Sequence, residues 1–393
     1  MAILAINVGS SSIKFALYPV NAAGIVAASD WSGEVQGLQP GGKATMQWKT
    51  AAGTVRQDLP GEGETAFTAA LARIDQEVRQ RGPLLAVAHR VVHGGQRFTD
   101  SVMITEAVLQ ELYTLVNLAP LHQGHNIQGI ERFRQRFQKT PQIACFDTGF
   151  HAGHPEIERR WALPEAFFER GIARYGFHGL SYRFVVQTLQ KKSAKAQGRL
   201  LLAHLGNGSS VCAVKDGISQ TSSMGYSALD GLIMGTRCGS LDAGVILALL
   251  AEGWTATQLE DLLYRQSGLL GISGISADMR TLRQMSCESA QRAIAMYTYR
   301  LVRELGSSAA VLGGVDLLAF TGGIGEHDAR LRQEVAEALA WMGIRLDAEA
   351  NQRATGDSVQ AIHHPDSLVE LWVIPADEGR IAAQDAWNLL QRL

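Results

Sequence analysis

Residues 2–17 read AILAINVGSSSIKFAL. One apolar run (2–6) enters a small polar turn, Asn7-Val8-Gly9-Ser10-Ser11-Ser12, and a second (13–17) leaves it. That order predicts a strand, a tight turn and a returning strand. Gly9 lets backbone approach a ligand closely, the serines add short hydroxyl donors, and Lys14 places an ammonium just beyond them. Backbone N–H groups, hydroxyls and a lysine on one concavity suit a phosphate, although an ordinary Gly/Ser hairpin has the same pattern. The pattern recurs at 199–214, RLLLAHLGNGSSVCAV, where Gly206-Asn207-Gly208-Ser209-Ser210 separates two apolar runs. Two such hairpins predict two related lobes, each offering a polar loop to one ligand. A third loop, Thr321-Gly322-Gly323-Ile324-Gly325-Glu326, follows a predicted strand at 316–320 and precedes a predicted helix from Ala329. Strand, glycine loop and helix is a context for anion binding at a helix N-terminus. Three loops together favour a nucleotide site.

Size and composition agree. The 393 residues suffice for two ordinary domains, and a hydrophobic fraction of 46% supports large cores. A net charge of −2 gives no reason to expect nucleic acid or an acidic membrane surface. No apolar run approaches the roughly 18 residues needed to span a bilayer, and the N-terminus lacks the basic segment of a signal peptide. The expectation is a cytoplasmic protein. Cys145, Cys212, Cys238 and Cys287 are scattered, as suits single thiols in a reducing compartment.

Along the chain, 20–60 predicts meandering edge strands, and Phe67, Ala70, Leu71, Ile74 and Val78 mark one helical face closed by Gly82-Pro83. Residues 37–43 nearly match a P-loop, but Ala44 follows where a magnesium-binding hydroxyl belongs, and that match is rejected. A strand at 84–92 carries Arg90 inside an apolar run, which requires an anionic partner or an open cleft. Helices are expected at 105–116 and around Ile127, Ile130, Phe133 and Phe137. The strand 142–146 ends at Asp147-Thr148-Gly149, where α/β folds place ligand-facing groups. Ser181 is the expected N-cap of a helix after Phe177-His178-Gly179. Beyond the second hairpin, Arg237 stands on a glycine-flanked loop and 241–250 is an apolar helix. Residues 268–276 are a Gly/Ser loop, 281–305 the longest helix, and 368–374 a strand running into Asp377-Glu378 and a closing helix.

Several chemistries fail on these residues. The pairs His89/His93, His122/His125 and His151/His154 lack a His-Glu-x-x-His motif. No Gly-x-Ser-x-Gly occurs, and no Gly-x-Gly-x-x-Gly follows the first strand. What remains suits phosphoryl transfer, which asks for positioning and positive charge around the moving group. Arg90 and Arg237 can hold a carboxylate and a phosphoryl group, His178 can donate to an equatorial oxygen, and Asn7 and Glu378 offer oxygens to Mg²⁺.

Taken together the motifs resemble the acetate kinase family, which includes propionate and butyrate kinases. NVGSSSIKF, HRVVHGG, APLH, FDTGFH, RYGFHG, HLGNGSS, MGTRCG, GISGISADMR and FTGGIGEHD occur in family order across nearly the whole chain. The resemblance implies an α/β fold of the actin-like/sugar-kinase ATPase superfamily: two duplicated ribonuclease H-like lobes with a nucleotide cleft between them. It implies an N-terminal lobe of 1–148 plus 379–393 on the acyl side, and a C-terminal lobe of 149–378 for nucleotide binding and dimerisation. The reaction implied is ATP plus acetate to ADP plus acetyl phosphate, reversible and in line, in a homodimer with Mg²⁺ (Mn²⁺ as a substitute). By position Asp147, His178 and Arg237 are the catalytic residues. Arg90 binds the carboxylate, while Val92, Leu121, Phe177 and Ala228 wall the acyl pocket. Asn7 and Glu378 take the metal, and Lys14 contacts the nucleotide. The rest of the nucleotide site is His204, Leu205, Gly206, Asn207, Gly208, Asp278, Met279, Arg280, Gly322, Gly323, Ile324, Gly325 and Glu326. A carboxylate nucleophile with a pKa near ~4.3 is already ionised at neutral pH, so orienting an arginine or a metal-bound water suits Asp147 better than a base role.

Departures from the family pattern sharpen the reading. Gly225-Tyr226-Ser227-Ala228-Leu229-Asp230-Gly231 has Ala228 where the family has proline. The smaller residue predicts room for one methylene beyond acetate, worth about 1–3 kcal/mol, and makes propionate or butyrate the alternative preferred acid. Gln123-Gly124 replaces Asn-Pro and predicts a looser turn; Thr221, Cys238, Ser240 and Gly379 also depart from the family. Two other readings stay open: a kinase of a hydroxylated substrate on the same fold, which needs a general base and a polar pocket, and a non-catalytic actin-like ATPase.

Overall fold

Strands β1 (Ala2–Val8) and β2 (Ser12–Asn21) form the first hairpin, with Asn7 directly opposite Lys14. The structure, a computed structural model, describes residues 1–50, 53–120 and 122–392. Residues 2–6 are all buried, because β1 lies between neighbours on both edges and is covered on its faces. Along β2, Ile13, Phe15 and Leu17 are buried while Lys14 is exposed, the period-two alternation of a strand with one wet face.

The chain divides into two units, Met1–Gly149 with Asp377–Leu393, and Phe150–Ala376. Glu378 therefore belongs to the first unit. That unit adds β3 (Gly24–Ile25), β4 (Trp31–Gln36), β5 (Thr45–Thr50), β6 (Gly53–Asp58), β7 (Leu84–Val91), β8 (Val102–Met103) and β9 (Gln142–Phe146). Its sheet runs β6-β5-β4-β2-β1-β7-β9-β8, and β3 pairs with β2. Strands β1, β7 and β9 are parallel; β2, β4 and β8 pair antiparallel.

The second unit holds β10 (Arg199–Leu205), β11 (Ser209–Lys215), β12 (Ile218–Ser222), β13 (Leu317–Thr321), β14 (Gln360–Ala361) and β15 (Glu370–Val373), in the order β12-β11-β10-β13-β15-β14. Here β10, β13 and β15 are parallel, while β11, β12 and β14 pair antiparallel. Taken strand for strand, β4-β2-β1-β7-β9-β8 and β12-β11-β10-β13-β15-β14 are one topology used twice, the duplicated lobe the sequence predicts. The core of the second unit packs on helix Glu288–Leu312, which buries Ala290, Ala293, Ile294, Tyr297, Leu301 and Leu305 at helical spacing.

Several local expectations need correction. The helix after Phe177 is Gly179–Gln190, capped by His178 in a left-handed conformation (φ 59°), while Ser181 lies inside it and turns its hydroxyl to His204. The glycine segments at 322 and 268 are short helices, Gly322–His327 and Gly268–Ser273, because a strand end or loop can pass straight into helical hydrogen bonding. The expected helix 281–305 is two, Met279–Arg283 and Glu288–Leu312. Asp278 caps the first early, and the weak helix formers Ser286 and Cys287 separate them. The turn expected to be looser includes residue 121, outside the described residues; within it the buried Gln123 amide both accepts from and donates to the backbone of His93, at 3.2 and 3.0 Å.

Four buried histidines set an acid limit. Burial lowers His89 to about 4, His93 to about 3, His151 to about 4 and, with nearby like charges, His154 to about 2. Since the unfolded chain takes protons near 6.5, their contribution is intact above that pH and is lost as the pH falls toward the folded values. Each costs up to about 1.4 kcal/mol per pH unit in that window. Urea midpoints should therefore drop steeply between pH 6.5 and 5; a flat profile would contradict neutral burial.

Candidate active site

In the first unit the chemistry gathers at the C-terminal ends of β1, β7 and β9. Alternation along β7 buries His89 on one face, bonded to Gln142 Oε1 at 2.8 Å, and turns Arg90 to the other. Arg90 Nε donates to Asp147 Oδ1 at 3.0 Å and Nη2 to Oδ2 at 2.6 Å, a bidentate pair. Glu378 Oε2 lies 3.4 Å from Arg90 Nε. Burial opposes the Arg90 charge, and Asp147 and Glu378 more than restore it. Burial pushes the Asp147 carboxyl up to about 6, with Arg90 pulling it down and Glu378 adding repulsion. The two bonds from the Arg90 guanidinium favour the ionised carboxylate.

Backbone ties fix these groups. Asp147 N–H donates to Val91 O at 3.0 Å. Asn126 accepts from Val92 N–H at 3.0 Å and donates to Val8 O at 2.8 Å, stitching the ends of β1 and β7. Tyr18 donates to Asp377, whose Oδ1 also takes Arg380 N–H and caps helix Glu378–Leu390. Glu378 is thereby set at the first helical position. Val92 is buried and Lys14 exposed; Leu121 lies outside the described residues.

Among the described residues no group of three or more His, Cys, Asp or Glu could hold a metal. Asn7 and Glu378 are two hard oxygen donors, and Gly379 packs beside Ala5 on the strand that carries Asn7. Two protein oxygens suit Mg²⁺, which keeps several waters and takes few protein ligands.

In the second unit, β10 and β13 are parallel neighbours with His204 beside Thr321, so the loops that follow them meet. Gly206 N–H donates to Gly208 O at 3.0 Å, and Ser209 Oγ to Gly206 O at 3.0 Å, closing a tight turn. Gly235 N–H donates to Asn207 O at 3.1 Å, which fixes the Met234–Arg237 segment against that turn. Gly322, at φ 77°, would bring any side chain's Cβ within 2.7 Å of Leu205 O.

His178 and Arg237 converge here. The point a Cβ would occupy on Gly208 lies 3.4 Å from His178 Nε2, 3.4 Å from Arg237 Nη2 and 3.7 Å from Arg237 Nη1. Arg237 is aimed by its Nη1 bond to Ala228 O at 2.7 Å. Because residue 208 lacks a side chain, no methyl covers the side of these nitrogens that faces Gly208.

Other predicted nucleotide residues do local work. Asp278 caps helix Met279–Arg283 through Arg280 and Thr281 N–H, Met279 is in the core and Arg280 is exposed. Glu326 Oε1 accepts from Gly322 N–H at 2.8 Å and Ala376 N–H at 3.0 Å, so its carboxylate pins its own loop. Sequence reasoning missed Arg332, a fully buried guanidinium that donates to Asn351 Oδ1 and to the carbonyls of Gly325, Glu326, Asn351 and Ala354. Burial lowers Arg332 to about 10. It clamps the end of the Gly322–His327 helix. Asn126 and Tyr18 also went unread, because neither stands in a recognisable motif.

Comparison with known proteins bears on this geometry. The family model described as the Acetokinase family matches residues 2–384. An acetate kinase of Rhodopseudomonas palustris (strain ATCC BAA-98 / CGA009) is 45% identical, covering 98% of each chain. An acetate kinase of Methylocella silvestris is 42% identical over 100% of this chain and 98% of its own. Among solved structures, a propionate kinase from Francisella tularensis superposes with a TM-score of 0.89 at 34% identity, over 98% of both chains. Acetate kinase from Porphyromonas gingivalis gives 0.86 at 33% identity, over 99% of both.

Proposed function

The chain belongs to the acetokinase family and is a carboxyl-group phosphotransferase, and from that premise we propose that it makes acetyl phosphate from acetate and ATP, reversibly, by direct in-line transfer. The observation that carries the mechanism is the convergence of His178 Nε2 and Arg237 on one spot beside Gly208. Two N–H donors brought together on one side of Gly208 suit charge spread over a transferring phosphoryl group. The loops at 206–208 and 322–326 cradle the nucleotide phosphates, and Lys14 adds a charge to them. Arg90, aligned by Asp147, holds the acid's carboxylate through its remaining N–H edge. Asp147 acts as an aligner, since the acid reaches the site already ionised. Held through Asn7 and Glu378, Mg²⁺ (or Mn²⁺) would neutralise phosphate charge when bound. A hydroxamate assay with ATP, Mg²⁺ and acetate should give acyl phosphate. ATP hydrolysis without hydroxamate would favour the non-catalytic ATPase, and phosphorylation of a sugar the hydroxyl kinase.

Ala228 widens the acid range in this reading. It is half-buried, and the segment uses its carbonyl, not its side chain, to hold Arg237. Propionate should be turned over with kcat/KM within about tenfold of acetate, and Ala228→Pro should lower the propionate-to-acetate ratio by about 10–200-fold. An unchanged ratio would remove Ala228 from the pocket wall.

A bare apolar surface supports a homodimer in this reading. Helix Ala243–Ala251, AGVILALLA, has no buried residue, and Leu247 is 67% exposed. Arg300 on helix Glu288–Leu312 bonds Ser240 O nearby, and Tyr299 of that helix is 69% exposed. An apolar helix left open to water marks an interface. Light scattering should give twice 42.5 kDa, and Leu247→Asp should shift the protein to monomer. We place the reaction in the cytoplasm, where ATP is held and free thiols such as Cys145 and Cys212 stay reduced. No helix among the described residues is long and apolar enough to cross a membrane.

A further inference from the structure

Behind the His178 ring lies a pair of hydroxyls that the transfer itself does not use. Ser210 Oγ is 2.8 Å from His178 Nδ1, and Tyr182 Oη meets that same serine oxygen. Both side chains belong to fully buried residues. Tyr182 lies four residues beyond His178 on the helix that His178 caps, and Ser210 lies two residues beyond Gly208 on β11. His178 holds the N-cap position in a left-handed conformation, and in the first turn of the helix consecutive residues serve two rings: Ser181 bonds His204 Nδ1 at 2.8 Å, and Tyr182 reaches His178 through Ser210.

We propose that Tyr182 and Ser210 are positioning residues that lock His178 as the neutral Nε2–H tautomer. The ring then offers the phosphoryl group an N–H donor and acts neither as a base nor as a second positive charge. The protons can be counted. A phenol is a stronger donor and weaker acceptor than an aliphatic hydroxyl, so Tyr182 O–H donates to Ser210 Oγ. Ser210 has one proton, and it goes to that oxygen's other partner among the described residues, His178 Nδ1. Nδ1 therefore accepts, and the one proton of the neutral ring sits on Nε2, the nitrogen that faces the Gly208 spot. An imidazolium would place a second donor against Ser210 and leave the serine proton without this acceptor, in a position closed to water. Burial holds the Tyr182 phenol well above its ordinary range, so it remains a donor throughout the working pH range. Two of the charged and titratable groups near the ring are Arg237, whose Nη2 lies like Nε2 3.4 Å from the point a Cβ would occupy on Gly208, and the His204 ring, which stacks at 4.2 Å. Adjacent positive charge favours a neutral imidazole.

The proposal rests on the carboxylate kinase reading only for what Nε2–H is aimed at. Nitrogen-15 NMR of the histidine-labelled full-length protein, with His178 assigned by its loss in His178→Gln, should show an unprotonated Nδ1 and a protonated Nε2 at neutral pH. Tyr182→Phe, which keeps the ring and its packing, should mix the tautomers and lower kcat about tenfold, with KM for acetate and ATP changed less than twofold. Ser210→Ala should do the same more strongly, and Ser210→Thr should restore the wild-type signature. A doubly protonated or Nδ1–H ring in the wild type overturns the proposal, as does a Tyr182→Phe enzyme unchanged in both spectrum and kcat. A protein with the Nε2–H signature and no acyl phosphate would instead defeat the functional reading, which keeps the two failures apart.

Discussion

Gly208→Ala is expected to fold like the wild type and to lose about 10²–10³-fold in kcat. The new methyl would meet His178 Nε2 and Arg237 Nη2 at 3.4 Å, ordinary van der Waals contact, so nothing in the second unit has to move. Gly208 is not among the glycines with positive φ, so an alanine backbone is accommodated. What the methyl removes is the space itself. A methyl in contact with both nitrogens covers the side of them that faces Gly208, so an oxygen approaching from that side is displaced. Loss of one oxyanion donor costs about 10²–10³ in kcat in well-studied hydrolases, and here two are blocked together. Thermal midpoint and ATP affinity should stay near wild type, while single-turnover acyl phosphate formation collapses. Wild-type turnover in a folded Gly208→Ala protein would take the spot off the reaction path.

The hairpins that place these loops were legible for a simple reason. A strand buried on both faces needs an unbroken apolar run, and both β1 and β10 have one beside a Gly/Ser turn. Their recurrence revealed the duplication, which the matching strand orders bear out. Helix starts were less legible, because residue type alone does not say where a side chain is needed. Ser181 has the chemistry of a cap, yet its hydroxyl serves His204, and the cap position falls to His178 in a backbone conformation no pattern announces. The acidic residues near the nucleotide loops have local partners that the sequence does not announce. Asp278 and Glu326, expected as ligand contacts, also accept backbone N–H groups of their own segments. Arg332 was invisible because one arginine on an amphipathic helix reads as part of the wet face. Only the fold supplies the carbonyls that surround it.

Asp147→Asn is expected to lower kcat/KM for the acid by about 10²–10³-fold, and the way that loss combines with a second substitution decides what Asp147 does. The asparagine keeps the volume but presents an NH₂ group to one of two Arg90 N–H donors now received at 3.0 and 2.6 Å. One of the paired bonds becomes a donor facing a donor, and the guanidinium is left to Glu378 at 3.4 Å. Breaking one side of a buried ion pair also costs about 3–5 kcal/mol of stability, so the comparison is made at a temperature where the variant is folded. If Asp147 works by aligning Arg90, removing both should cost scarcely more than removing either. Arg90→Ala alone and Arg90→Ala with Asp147→Asn should then agree within about tenfold. An independent role as a proton acceptor predicts the opposite, losses that multiply and a double variant worse by the full product. The acid is ionised at neutral pH, so there is no proton for a base to take. The sub-multiplicative outcome is the one the bidentate geometry requires.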